Sequence, residues 1–264
     1  MDTLLWIIVA ALAGGVLSTL AAAATLKVSA SWIAPLVSFA VGALLGAVFL
    51  ELLPEALEAG GVHYVMRIVL AGLLAFFLLE KLVLWRHAHG HEHHAPDGDE
   101  SEHDHALHGG ASVVGGRPGM MILIGNSVHN FCDGIVIAAA FLADRPLGVA
   151  TTLAIVAHAV PQQVGDFAVL LHSGFARGKA FAFNVSAGAA TLIGALVAYG
   201  ALAGMTRVLP TVLAIAASSL LYVAVADLIP SLHRRSEPIE TAKQALLIGL
   251  GLSTIAIAHV LLEH

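Results

Sequence analysis

Residues 119–142 read GMMILIGNSVHNFCDGIVIAAAFL, and how they are understood decides the fold. Two apolar runs flank His129-Asn130-Phe131-Cys132-Asp133-Gly134. The whole stretch is long enough to cross a bilayer as a helix, which takes about 20 mainly apolar residues. A helix that carries this set through lipid must turn the polar side chains toward protein, because a central Asp costs about 3 kcal/mol even on an insertion scale. His129 and Asp133 are four residues apart and share one helix face, with Asn130 beside them.

Working outward, the composition gives the same class. Of 264 residues, 58% are apolar and 11% are charged, against about 25% charged in an ordinary soluble domain. The chain lacks the polar residues to cover a core in water. This excludes a typical soluble enzyme, a disordered chain and a nucleic-acid binder, and leaves an all-α integral membrane protein. Eight spans are expected, at 4–25, 33–53, 63–85, 119–142, 147–172, 180–203, 208–231 and 242–262. Short connectors with turn or charged residues lie at 27–31, 55–61, 144–146, 174–178 and 233–240. The first apolar run lacks a basic n-region, so it is read as a retained span rather than a cleaved leader. The single Cys132 excludes an intramolecular disulfide framework and a Cys-rich zinc module.

Charge placement sets the expected orientation. The net charge is −6, and the stretch 87–108 alone holds six acids, no Lys or Arg, and eight of the 15 histidines. The rest of the chain balances. Loops after spans one, three, five and seven carry Lys27, Lys81, Arg86, Arg117, Arg177, Lys179, Arg234, Arg235 and Lys243; the other side has Arg67, Arg145 and Arg207. Positive charge favours the cytoplasm, so both termini are expected outside and the His-rich loop inside, in the plasma (inner) membrane. The organisation expected is 1–85 (spans one to three), 86–118 (the His-rich loop), 119–172 (spans four and five) and 173–264 (spans six to eight). Glu51-Leu52-Leu53-Pro54 in span two and Asp227-Leu228-Ile229-Pro230 in span seven match across this 3+2+3 arrangement, as an inverted repeat would.

Span five supplies the second polar face. His158, Gln162 and Asp166 follow at four-residue steps, and Pro161 between them leaves the carbonyl of Ala157 without its helical donor. A short connector makes spans four and five antiparallel neighbours, so their polar faces should meet. Imidazole nitrogen and carboxylate oxygen both suit a borderline divalent ion such as zinc. His129, Asp133, His158 and Gln162 give four donors, with Asn130 and Gln163 adjacent. With one anion among them, such a site holds an ion less tightly than a structural zinc site, which suits an ion that must leave again. A hydrogen-bonded cluster gluing two helices together is the competing reading.

These residues resemble a known family. His129-Asn-Phe-Cys-Asp133-Gly134 is similar to the H-N-x-x-(D/E)-G motif in the fourth helix of ZIP (Zrt/Irt-like) metal transporters. His158-Ala-Val-Pro161-Gln162-Gln163-Val-Gly165-Asp166-Phe167 resembles that family's fifth-helix pattern H-E-x-P-(H/Q)-E-x-G-D-F. Leu52-Leu53-Pro54-Glu55-Ala56 and Asp227-Leu228-Ile229-Pro230 resemble its second- and seventh-helix signatures. The resemblance implies uptake of a divalent cation, most often zinc, into the cytoplasm by alternating access, through a site between helices four and five. The ion is then cargo, and no cofactor is required. Two departures stand out: Ala159 and Gln163 replace glutamates of the family pattern, and span six has no acid. They point to one ion rather than two. A cation-efflux transporter, or a metal-sensing membrane protein impaired in transport, are the alternatives. An intramembrane zinc hydrolase ranks last, because His158 to Gln162 lacks both the Glu and the second His of H-E-x-x-H.

Other polar residues carry smaller expectations. Glu51, Glu55, Asp166 and Asp227 could line the ion's path, and a solvated helix end explains the first two and Asp227 equally well. His63, His172, His233 and His259 sit near span ends, where interfacial packing is the default. Glu80 with Lys81 marks the membrane surface. In the loop, His89, His91, His93, His94, His103 and His105 alternate with acids and suit weak, adaptable metal binding. The partners expected are divalent ions and lipid, with no nucleic acid. Gly-rich span faces could pack within a protomer or between the protomers of a homodimer.

Overall fold

A bilayer offers the backbone no water, so a crossing segment must close its N–H and C=O groups internally, as a helix does. The computed structural model describes residues 2–24, 33–88, 117–233 and 237–262. These form eight helices long and apolar enough to span a membrane. They are α1 (Thr3–Ala24), α2 (Ile33–Gly60), α3 (Val62–Ala88), α4 (Arg117–Ala143), α5 (Arg145–His172), α6 (Arg177–Leu202), α7 (Thr206–Leu232) and α8 (Pro238–Leu262). No strand occurs among the described residues. The protein is an all-α integral membrane protein.

Every expected span has its helix, but one connector does not exist as such. The sequence places a turn at 55–61 after span two, whereas Leu53–Gly60 is helical and the chain turns only at Gly61, whose φ of 78° suits glycine. Pro54 does not end the helix, because the turn before it widens. Ala47–Leu52 is π-helical, and so is Val223–Leu228 ahead of Pro230 in α7. A proline ring collides with the carbonyl four residues earlier and offers no N–H to it. Those carbonyls belong to Leu50 and Ala226, inside the two π segments, where an i→i+5 turn displaces them. The E-L-L-P and D-L-I-P matches are therefore matched by the same local distortion in both helices. Pro161, by contrast, lies inside an unbroken α5.

The helices sort into two groups. α4 packs most extensively on α6, and α1 lies against α5 and α6; α8 packs on α2, and α7 against α2 and α3. Contact between the two groups runs mainly along a seam of α2 with α5, aided by α8 on α5 and α4 on α7. Glycines explain the closeness within each group. A Cβ on Gly134 would lie 2.0 Å from the Thr191 carbonyl oxygen, and one on Gly194 2.1 Å from that of Phe131, so α4 and α6 touch backbone to backbone. Gly42 against Ile248 and Gly251 against Phe39 do the same for α2 and α8. The largest apolar core draws on both groups, with Leu44, Leu52, Ile137, Ile155, Leu213, Leu220 and Ile255 fully enclosed. α3 and α8 turn rows such as Leu70, Leu74, Leu78 and Leu246, Leu250 outward, as lipid-facing helices do.

Candidate metal centre

Helical periodicity places His129 and Asp133 on adjacent turns of α4, and the single non-helical residue Asp144 between α4 and α5 folds α5 back beside them. His158 of α5 closes the group. Its Nε2 lies 3.4 Å from Asp133 Oδ2 and 3.2 Å from His129 Nε2, and His129 Nε2 lies 3.5 Å from the same carboxylate oxygen. The imidazole planes stand at 80° to one another, in a T-shaped arrangement. Asp133 and His158 are buried, while His129 keeps 22% of its side chain exposed.

Local bonds orient the group. His158 Nδ1 is 3.2 Å from the carbonyl oxygen of Ala154, one turn earlier. A carbonyl only accepts, so Nδ1 carries a hydrogen, and Nε2 is the ring nitrogen turned toward Asp133 and His129. Ligand atoms around a tetrahedral zinc with bonds of about 2.0–2.1 Å stand about 3.3–3.4 Å apart, from the geometry of the tetrahedron. The three separations observed fall on either side of that edge length. His129, Asp133 and His158 are thus arranged as three corners of such a site, all within 4.8 Å of one another.

The other expected donors are disposed differently. Gln162 lies one turn beyond His158 and donates from Nε2 to Asn126 Oδ1 at 3.3 Å. Asn130 is buried and bonded within the protein: its Nδ2 donates to Asn126 O and Oδ1 at 2.8 and 2.6 Å, and its Oδ1 accepts from the Thr191 hydroxyl at 3.3 Å. Gln163 is turned about 100° from Gln162 around the helix. It is 1% exposed with neither side-chain polar atom hydrogen-bonded, and its backbone oxygen accepts from Asn184 of α6. Sequence reasoning missed Asn126, although its four-residue step to Asn130 was a usable signal. Thr191 carried none, because a helical threonine commonly bonds its own preceding turn.

Of the residues expected along a path, Asp227 of α7 lies within electrostatic range of His129 and Glu80, across the seam from the triad. Glu80 accepts a hydrogen bond from Tyr222 and so does more than mark a surface. Asp166 Oδ2 is buried without a hydrogen bond. Glu51 is 4% exposed, which rules out the alternative of a solvated helix end. The π segment turns it inward, and its Oε2 lies 3.0 Å from His259 Nδ1 of α8, a residue expected only to pack at the interface. Glu51 and His259 line a cavity of about 240 Å³ together with Glu55, Glu58 and Asp144. His89, His91, His93, His94, His103 and His105 lie outside the described residues.

Eight apolar helices around a largely buried His/Asp/His cluster define a polytopic membrane protein with a candidate cation site inside its bundle. The comparisons then fix its kinship. A family model described as ZIP Zinc transporter matches residues 85–259. The chain is 32% identical over 253 residues to Zinc transporter ZIP13 of Homo sapiens, covering 82% of this chain and 68% of that protein. It is also 32% identical over 285 residues to the Zinc transporter ZIP13 homolog of Drosophila melanogaster, covering 87% and 78%. The chain belongs to the ZIP zinc transporter family. It is accordingly a transporter and not an enzyme.

Proposed function

We propose that this protein carries zinc into the cytoplasm by alternating access, through a single-ion site of His129, Asp133, His158 and Gln162. The observation that carries this reading is the convergence of three donor atoms from two helices at tetrahedral spacing. Zinc is the cargo, and the family membership supports that choice of ion. The ion exchanges part of its hydration shell for two imidazoles, one carboxylate and an amide oxygen. One anion against a divalent ion leaves a net positive centre, which favours release over permanent capture.

The inward direction and the extracytoplasmic termini rest on the distribution of Lys and Arg among the loops. Access alternates as α1, α4, α5 and α6, which carry the site, shift against α2, α3, α7 and α8. The seam runs past the site, with Asp227 of α7 within electrostatic range of His129. The His-rich segment 87–108 acts as an accessory metal binder on the cytoplasmic side.

Zinc flux into proteoliposomes tests this. Wild type should transport, and His129→Ala and His158→Ala should each fall below about a tenth of its rate, since even outer-shell changes at metal sites cost about 10–100-fold. Flux unchanged by either substitution sinks the site. Zinc binding without any wild-type flux turns the reading to a metal sensor. A chain lacking 87–108 should keep its basal flux.

A further inference from the structure

The amide cluster beside the triad contains a fixed order of donors and acceptors. It begins at a backbone carbonyl. Asn130 Nδ2 lies 2.8 Å from the carbonyl oxygen of Asn126, and a carbonyl oxygen can only accept, so the NH2 end of Asn130 is the one facing Asn126. The same NH2 lies 2.6 Å from the Asn126 side chain, which must therefore present its oxygen there. That oxygen is also 3.3 Å from the Gln162 amide, which in turn must present its NH2. At the far end the Thr191 hydroxyl donates to Asn130 Oδ1 and ties the chain to α6. Each orientation forces the next. The last consequence is that the Gln162 carboxamide, with its NH2 held by Asn126, keeps its carbonyl oxygen as the free end.

We infer that Asn126 is a positioning residue for the transported ion: it holds Gln162 with the carbonyl oxygen available as the fourth donor beside His129, Asp133 and His158. The inference rests on the single-ion site proposed above and adds to it the residue that sets the polarity of its one neutral oxygen donor. The physical reason is simple. A carboxamide is ambivalent, its two ends differ only in which is the acceptor, and an NH2 turned toward a divalent cation repels it. Aspartate or glutamate needs no such control, because both of its oxygens accept. Gln162 is a neutral donor, so its side chain needs an outside partner to decide which end meets the ion, as outer-shell groups orient metal ligands elsewhere. Asn126 and Asn130 are buried at 7% and 4% exposure, so water competes little for these bonds.

The test is a double-mutant cycle on zinc flux in proteoliposomes, with the full chain. Asn126→Ala and Gln162→Ala should each raise the KM for zinc about tenfold, the low end for an outer-shell change, while kcat stays within about twofold. The double variant should show no more than the larger single effect, because both changes remove the same oriented oxygen. Asn126→Asp keeps an acceptor for both amides and should rescue KM to the wild-type value or below. That arm does not depend on the protein tolerating a cavity. Multiplying KM effects in the double variant, a loss of kcat with unchanged KM in Asn126→Ala, or an Asn126→Asp variant as impaired as the alanine one overturns the inference. If His129→Ala and His158→Ala transport normally, the site itself fails, which is a separate result from any pattern within the cycle.

Discussion

Asp133 is the residue on which the centre turns. It is the one carboxylate among the four proposed donors, it is 2% exposed, and its Oδ2 faces both imidazoles at 3.4 and 3.5 Å. Asp133→Asn preserves shape but removes the only negative charge among those donors and turns one acceptor oxygen into an NH2 donor. It should cut zinc affinity at least about tenfold, while the detergent-solubilised protein melts close to wild type. Calorimetric titration with zinc reads the first and thermal unfolding the second. Undiminished affinity would remove Asp133 from the donor set. The pairs at four-residue spacing were legible in the sequence because a helix fixes which side chains share a face. That Gln162 bonds Asn126 of α4 while the Gln163 backbone accepts from Asn184 of α6 was legible only as a rotation between adjacent residues. What each one then met depended on where α6 came to lie.

At the scale of the element, two features shape the helices: proline with a π turn, and glycine against a neighbouring backbone. The connector expected at 55–61 followed from its turn and charged residues, Glu55, Glu58, Gly60 and Gly61. The helix instead continues through Gly60, because a widened turn costs less than exposing backbone groups in a bilayer. The glycine contacts give a direct test. A Cβ at Gly194 would stand 2.1 Å from the Phe131 carbonyl oxygen, whereas one at Gly200 meets nothing within 4 Å. Gly194→Ala should lose about 1–3 kcal/mol as an overpacked contact. Gly200→Ala should be neutral or slightly stabilising, since alanine favours a helix by about 1 kcal/mol over glycine. Thermal denaturation in detergent compares the two, and equal melting would mean that α4 and α6 can part without loss.

For the whole molecule, the close glycine contacts fall inside the two helix groups. Gly15 meets Gly188, Gly134 meets Thr191, Gly42 meets Ile248, and Gly72 meets Ser218. The seam of α2 with α5 is lined at one end by the cavity of Glu51, Glu55, Glu58, Asp144 and His259. Groups that are tight within and looser between them suit rigid-body movement along the seam. Cysteines at Glu58 and Asp144, in a Cys132→Ser background that still transports, place a reactive group on each side of the cavity. A short bifunctional crosslinker there should stop zinc flux, and cleaving it should restore flux. Transport that continues through a complete crosslink would rule out the relative motion.

The sequence by itself determined the membrane class, the number and order of the helices, and the pairing of His129 with Asp133 and of His158 with Gln162. These follow from local rules of span length and helical period, which hold wherever a segment ends up. Only the tertiary structure decided that Glu51 is buried against His259, that α1 joins α4, α5 and α6, and that Asn126 links Asn130 to Gln162. Such contacts join residues as much as 208 positions apart. No local period encodes them; they depend on which helix faces pack closely enough to bring those side chains within reach.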